Sequence, residues 1–412
     1  MEHHHLFSLF GGIMVRKMRI EWIKTHHQAL APFNRFKEKA HTKATKLFAN
    51  RKGALYIHIP FCVGRCRFCI LYREYPNMPY EHFVSALIRE MRKYRSFQPE
   101  VVYFGGGTPT LPPTTELGRI LYSIEKRGEI KEITIETTVS EFDEKKAEEL
   151  ASLGINRISF GVQSFNNKKR EILGRRSPES EVIEKLKLAR EYFEIVSIDL
   201  LYDLPYDNTL QEDVKKAVDL NVDGLSIYPL VYNTTMQSYP HPNIEENEQN
   251  FLEAYDYLTE HGYKHISINH FSNGKDKFLY SEYFTHLDKP LLGIGPGAGG
   301  HIKNYETFHP PGVRRYIMDP YRVNVFSMPE EVFCGIRVIA SMLKGNVKIL
   351  PGNFAASLQV ALNREWVGLR GKNLMLLPKG LFWANTLVYL MSLDFLRSYI
   401  SLTKRRLGTL EL

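Results

Sequence analysis

Cysteine is scarce in this chain. There are four in 412 residues; Cys62, Cys66 and Cys69 crowd into eight positions, and Cys334 stands alone far downstream. So few thiols, three of them bunched, argue against a disulfide-stapled secreted domain and suit a reducing, cytoplasmic setting. Long apolar runs are also missing. Nowhere do eighteen consecutive apolar residues occur, so no membrane span is expected. The nearest approach, Gly380–Leu393, is interrupted by Asn385 and Thr386 and reads as a core helix. Met1–Ile13 lacks the basic start and long apolar run of a secretory signal. Internal repeats and low-complexity tracts are absent.

Hydrophobic residues at 43% and aromatics at 12% supply a sizeable core, and 412 residues suit one large domain with additions, or two to three smaller ones. The net charge of +8 is unevenly spread: eleven Lys and Arg lie between Arg16 and Lys52, against Glu21 and Glu38. A basic stretch can bind nucleic acid or can be a solvated face that attracts an anionic substrate. Nothing here resembles a nucleic-acid-binding motif, so the second reading is favoured.

From Ala54 onward, short β-rich runs alternate with helical patterns. The runs are Leu55–Ile59, Val101–Phe104, Ile133–Glu136, Arg157–Phe160, Val196–Leu200 and Gly224–Tyr228. Between the first two, Phe83, Leu87 and Met91 recur every fourth residue, the apolar stripe of an amphipathic helix. Asp143–Leu153, Ser180–Phe193 and Gln211–Leu220 read likewise. Such alternation predicts a parallel sheet with outer helices. Six units predict a partial (β/α)6 TIM-like barrel, whose chemistry collects at the carboxyl ends of the strands. The expected boundaries are a basic helical arm over 1–53, the barrel core with its extension over 54–316, and a mainly α, winged-helix-like cover over 317–412. Asn233–Asn247 reads as a loop before a helix at Glu248–His261, Met328–Lys344 as a helical segment, and Leu381–Ser392 as a helix after a turn.

The cysteines close the run Tyr56-Ile-His-Ile-Pro-Phe-Cys-Val-Gly-Arg-Cys-Arg-Phe-Cys69, spaced C-x3-C-x2-C. Three thiolates at this spacing can ligate three corners of a cubane iron–sulfur cluster and leave one iron open. A structural zinc site wants four ligands. His58 could be the fourth, but in the alternation of Leu55–Ile59 it is as readily a packed or hydrogen-bonded histidine. Gly105-Gly106-Gly107-Thr108-Pro109 follows the second run, where missing Cβ atoms let backbone approach a ligand. Glu136 ends the third run and can accept from ribose hydroxyls, or can be an ordinary strand-end carboxylate paired with a lysine. Gln163 follows the fourth run, and Arg175 offers a planar fork for a carboxylate. Asp199 sits among aliphatic residues and needs a partner to stay charged.

Together these residues resemble the radical S-adenosylmethionine (SAM) superfamily and, within it, the family of oxygen-independent coproporphyrinogen III oxidase. The similarity is carried by Tyr56–Cys69, Gly105–Pro109, Gly161-Val-Gln-Ser-Phe165, Ile198–Pro205 and Leu292–Gly300. It implies a [4Fe-4S] cluster on Cys62, Cys66 and Cys69, SAM on the open iron, two SAM molecules per chain in the family pattern, and an electron donor such as flavodoxin or ferredoxin. Tyr56, Gly106, Glu136, Val231 and Gly299 match positions that contact the cluster-bound SAM, and Phe68, Gly107, Thr108, Gln163, Arg175 and Asp199 those of a second SAM. Two departures bear on activity. The decarboxylating oxidase carries a further cysteine where this chain has Leu71, and related haem chaperones carry a His-Asn-x-x-Tyr-Trp signature where this chain reads Asp276–Phe284 without histidine or tryptophan. The resemblance then points to a class C-type methyltransferase acting on an sp2 carbon of a planar aromatic substrate, a tetrapyrrole first and a quinone next. The alternatives are oxidative decarboxylation of a porphyrinogen and haem chaperoning.

Overall fold

Each of the six β-rich runs becomes a strand, longer by one to five residues than its apolar core. They are β1 (Lys52–Ile59), β2 (Gln98–Gly106), β3 (Glu132–Thr137), β4 (Arg157–Gln163), β5 (Ile195–Tyr202) and β6 (Gly224–Pro229). Each pairs in parallel with the next in chain order. The computed structural model describes residues 40–327 apart from 65, 125–127, 207–209 and 287, and beyond them 347–348, 355–370, 373–387, 390–391 and 394. The arm before residue 40, Cys334 and the expected helix at Met328–Lys344 lie outside the described residues.

Helices cross between the strands as the apolar stripes require. After α1 (Ala40–Phe48) come α2 (Tyr80–Lys93), α3 (Thr114–Tyr122), α4 (Glu144–Ser152), α5 (Asn167–Leu173), α6 (Glu179–Tyr192) and α7 (Leu210–Asp219). The predicted stripe of α2 is the buried one: Phe83 and Leu87 are fully buried and Met91 nearly so. Burying a side chain of that size contributes about 1.5–3 kcal/mol, so three on one face fix the helix against the sheet. Asp143 caps α4 by accepting from the Lys146 N–H at 2.7 Å.

Beyond β6 the sequence reading needs correction. α8 runs over Ile244–Glu260, four residues earlier than predicted, because Asn243 caps it by accepting from the Glu245 and Glu246 N–H groups. The expected loop is correspondingly shorter. Short strands that periodicity did not reveal extend both sides of the barrel sheet. At the β6 edge lie antiparallel β8 (His270–Ser272) and β7 (Lys264–Ser267). At the β1 edge β9 (Leu291–Ile294) pairs in parallel, followed by antiparallel β10 (Gly299–Ile302), β11 (Tyr305–Phe308) and β12 (Asn324–Ser327). The sheet order is β12-β11-β10-β9-β1-β2-β3-β4-β5-β6-β8-β7. Its two ends do not pair, so the barrel is open, as predicted. Between β8 and β9 lies α9 (Leu279–Thr285), and between β11 and β12 lies α10 (Val313–Met318).

The C-terminal stretch is less purely helical than expected. Besides a helix at Ala355–Asn363 it holds a three-stranded antiparallel sheet of Val347–Lys348, Asn373–Leu376 and Val367–Arg370. Where a helix was expected over Leu381–Ser392, the structure has a short one at Pro378–Phe382 that ends at Trp383; Pro378 takes the first-turn position, where its missing N–H costs nothing.

Candidate functional site

The cysteine loop leaves the carboxyl end of β1 and is tied down from every side. The Cys62 N–H donates to the Glu74 carbonyl at 3.0 Å, and the Glu74 N–H to the Pro60 carbonyl at 2.8 Å. Arg73, which sequence reasoning missed, donates to the carbonyls of Cys66 at 3.1 Å and Cys69 at 3.4 Å. Tyr72 donates to Glu74, and those two side chains accept the Gly312 and Val313 N–H groups at the start of α10. On the far side the Arg67 N–H donates to the Leu173 carbonyl at 3.0 Å, while Asn233 and Thr235 donate to the Arg67 carbonyl.

The three thiols are free and half-buried. Burial pushes the Cys66 thiol up, opposed by the Arg175 and Arg73 guanidiniums. Among the described residues no three His, Cys, Asp or Glu side chains converge on one metal ion. A cubane cluster makes no such demand, since each thiolate takes a different iron. His58 is not a fourth ligand, because both ring nitrogens are used. Its Nε2 lies 3.1 Å from the Tyr72 carbonyl and must donate, so Nδ1 accepts from the Tyr56 hydroxyl at 2.9 Å. Burial holds His58 down to about 4, a neutral ring.

The glycine turn after β2 is stitched to this loop. The Gly107 N–H donates to the Ile59 carbonyl at 2.8 Å and the Thr108 N–H to the Phe61 carbonyl at 2.7 Å. A Cβ on Gly107 would stand 2.4 Å from the Phe61 carbonyl oxygen, and one on Gly106 2.7 Å from that of Ile59, so both glycines are required by close backbone approach. Thr108, predicted beside a second SAM, lies against the cluster loop: its hydroxyl is 3.7 Å from the Cys62 sulfur.

Glu136 is neither exposed nor lysine-paired. Its carboxylate accepts from the Tyr103 hydroxyl at 2.7 Å and the Gly106 N–H at 3.3 Å. Burial, then the charge of Asp199, pushes it up to about 7. Asp199 is pushed up to about 6 by burial, against Arg157, Ser226 and Arg175. Arg175, Gln163 and Phe68 come together. The guanidinium lies 5.5 Å over the Phe68 ring, and a Cβ at Gly161 would meet Arg175 at 2.8 Å and Gln163 at 2.9 Å. Gln163 holds φ at 73°, a conformation uncommon for a non-glycine residue, at the bulge between β4 and β5. Among the buried side-chain atoms without a hydrogen-bond partner in the described residues are two guanidinium nitrogens, Arg175 Nε and Arg157 Nη1. Unpaired guanidinium nitrogens are costly unless a ligand meets them.

Tyr56 and Gly299 are neighbours once removed. Tyr56 pairs with Gly293 across β1 and β9, and a Cβ at Gly293 would stand 2.1 Å from the Gly299 carbonyl oxygen. Val231 lies on the loop after β6, where its carbonyl accepts from the Asn233 N–H. The chemistry of these donors fits both groups the resemblance implies. Cys62, Cys66 and Cys69 would hold the cluster, with Glu136, Tyr56 and the glycine turn beside its SAM.

Comparison with known proteins agrees. The radical SAM superfamily matches residues 56–220. The chain is 32% identical over 277 residues to the anaerobilin synthase of Escherichia coli O157:H7, covering 62% of each protein. It is 28% identical over 321 residues to a heme chaperone of Bacillus subtilis (strain 168), covering 70% of this chain and 84% of the relative. To the oxygen-independent coproporphyrinogen III oxidase of Escherichia coli (strain K12) it is 27% identical over 295 residues, 64% of each. The solved coproporphyrinogen III oxidase of Escherichia coli superposes with a TM-score of 0.73 at 21% identity, over 87% of this chain and 94% of that one, which shows the same fold. The chain thus spans less than two thirds of the length of the synthase and the oxidase. The domain match and the places taken by the cysteine loop and its glycine turn identify residues 56–220 as a radical SAM domain.

Proposed function

We propose that the protein is a radical SAM enzyme that takes a tetrapyrrole as substrate. The observation that carries it is the meeting, at the carboxyl ends of the strands, of three free thiols with Glu136 and an unpartnered arginine. Such a set suits a cluster and a ligand bearing ribose, ammonium and carboxylate. Two of the three relatives named above carry heme or coproporphyrinogen in their names, which supports the substrate class.

Held by Cys62, Cys66 and Cys69, a cluster would supply the electron for reductive cleavage of SAM. This chain's residues then do the holding. Tyr56 is oriented by His58, the glycine turn lets backbone approach, and Glu136 is steered by Tyr103 and Gly106. We read the rim outside the barrel, with the segment beyond residue 316, as the cover of the substrate, and a low-potential flavodoxin or ferredoxin as the electron donor.

The relatives support oxidation of a porphyrinogen side chain better than the methyl transfer expected from the sequence. One observation still favours methyl transfer: Phe68, Gln163, Arg175 and Asp199 sit as a second ligand's polar set would, with Arg175 Nε unpartnered. Anaerobic incubation with dithionite, SAM and a panel of tetrapyrroles separates the two. Oxidation gives 5′-deoxyadenosine and carbon dioxide without S-adenosylhomocysteine. Methyl transfer gives 5′-deoxyadenosine and S-adenosylhomocysteine near one to one, with deuterium from methyl-labelled SAM in the former. Stable haem binding with neither product would overturn the enzyme reading in favour of a chaperone.

A further inference from the structure

The segment from Asp276 to Tyr280 closes the amino end of the barrel, opposite the mouth. Arg157, the first residue of β4, forks onto Asp276 at 3.0 and 2.9 Å. Glu132, the first residue of β3, accepts from the Leu279 and Tyr280 N–H groups at 2.9 and 3.4 Å. Between those ties Phe278 holds φ at 40°, a left-handed conformation that bulky residues seldom adopt. Its N–H donates to Asp276 at 2.8 Å, and its ring lies 4.2 Å from the Arg157 guanidinium and 4.7 Å from the His270 ring. Strain of that kind persists only where the surroundings over-determine it.

Two residues on, the clamped turn delivers the Tyr280 ring to the barrel floor. It stacks on Tyr103 of β2 with centroids 4.3 Å apart and planes 27° from parallel. Tyr280 is 9% exposed and Tyr103 8%, so each ring is packed in place. The other rings beside Tyr103 are more distant, Tyr56 at 6.1 Å and Phe278 at 6.3 Å. At the far end of that ring, the Tyr103 hydroxyl donates to Glu136 at 2.7 Å. The second donor to Glu136, the Gly106 N–H, stands at a longer 3.3 Å. A Tyr103 ring that lost its support would take the shorter bond with it and leave the carboxylate free to turn.

We propose that Tyr280 is a positioning residue for Glu136: from the floor of the barrel it holds the Tyr103 ring, and so the Tyr103 hydroxyl, where it steers the Glu136 carboxylate toward bound SAM. Tyr280 acts through Tyr103 and is not a catalytic residue. The strained turn at Phe278 sets the depth at which the Tyr280 ring stands. The inference rests on the reading above, in which Glu136 lies beside the cluster-bound SAM.

The test is anaerobic equilibrium dialysis of SAM against the reconstituted full chain, with iron counted on the same samples. Tyr280→Leu is expected to keep its iron and to weaken SAM binding about tenfold, short of the roughly hundredfold that an ångström of misplacement can cost. Tyr280→Phe keeps the stack and should bind SAM as the wild type does. Tyr280→Met fills the space without a flat ring, should match the leucine variant, and serves in its place if that variant does not fold. In a Tyr103→Phe background the hydroxyl is already gone, so Tyr280→Leu should add less than about twofold, as residues acting in one unit do. Wild-type SAM affinity in the leucine and methionine variants would overturn the inference. So would an undiminished loss in the Tyr103→Phe background, because a floor that only packs the barrel takes no account of that hydroxyl. Failure of the reading beneath it shows separately, as a Glu136→Gln protein that binds SAM as tightly as the wild type.

Discussion

Glu136 accepts two hydrogen bonds, from the Tyr103 hydroxyl and the Gly106 N–H, yet burial and the nearby charge of Asp199 still lift it to about 7. A carboxyl raised in the folded state binds its proton more tightly there than in the unfolded chain. Between its ordinary value near 4.5 and about 7 the folded protein carries the extra proton, so stability falls as pH rises through that window and is level above it. Glu136→Gln is therefore expected to raise the melting temperature of the ligand-free protein at pH 8 and to change it little at pH 5. Equal effects at both pH values, read by differential scanning calorimetry, would show that Glu136 is not buried as an acid. Arg157 and Asp276 make the opposite case. Their fork is almost fully buried, and removing one partner strands the other's charge, typically at about 3–5 kcal/mol. Arg157→Leu should lose stability of that order in denaturant unfolding, and adding Asp276→Leu should recover part of it. The sequence announced Asp199 and Glu136, since charged residues inside apolar strands need a reason. It did not announce Arg157, whose partner Asp276 lies 119 residues away in the chain.

Among the elements, the strands with four or more apolar or β-branched residues were legible to within a few positions, because period and composition agreed there. The short strands β7 to β12 were not. At three or four residues each they carry too little periodicity, and glycine in β9 and β10 weakens what remains. The early start of α8 did have a signal, the sequence Asn243-Ile-Glu-Glu246, with a capping side chain ahead of first-turn acids. The two loops at the mouth of the barrel act as one unit through Gly107, whose added Cβ would strike the backbone of Phe61 and Pro60. Backbone cannot rotate away. Gly107→Ala is expected to cost about 1–3 kcal/mol, as overpacking does, and to displace the Cys62 loop. Iron bound after anaerobic reconstitution should fall severalfold while the circular dichroism spectrum is kept. Full iron loading in that variant would show that the glycine turn does not set the cysteine loop.

At the scale of the molecule, the open barrel gathers its polar residues at one end of six parallel strands, which is where such folds do chemistry. No described helix is long and apolar enough to cross a membrane. The central claim is that Cys62, Cys66 and Cys69, and no other thiol, hold the cluster on which activity depends. It is tested most directly by counting iron and sulfide in anaerobically reconstituted wild type and in the four single Cys→Ala variants, with reductive SAM cleavage measured on the same samples. The account predicts about four iron and four sulfide per chain in wild type and Cys334→Ala, both forming 5′-deoxyadenosine, and loss of that product on replacing any of the other three. A Cys66→Ala protein that keeps the cluster and cleaves SAM, or a Cys334→Ala protein that does neither, would contradict it.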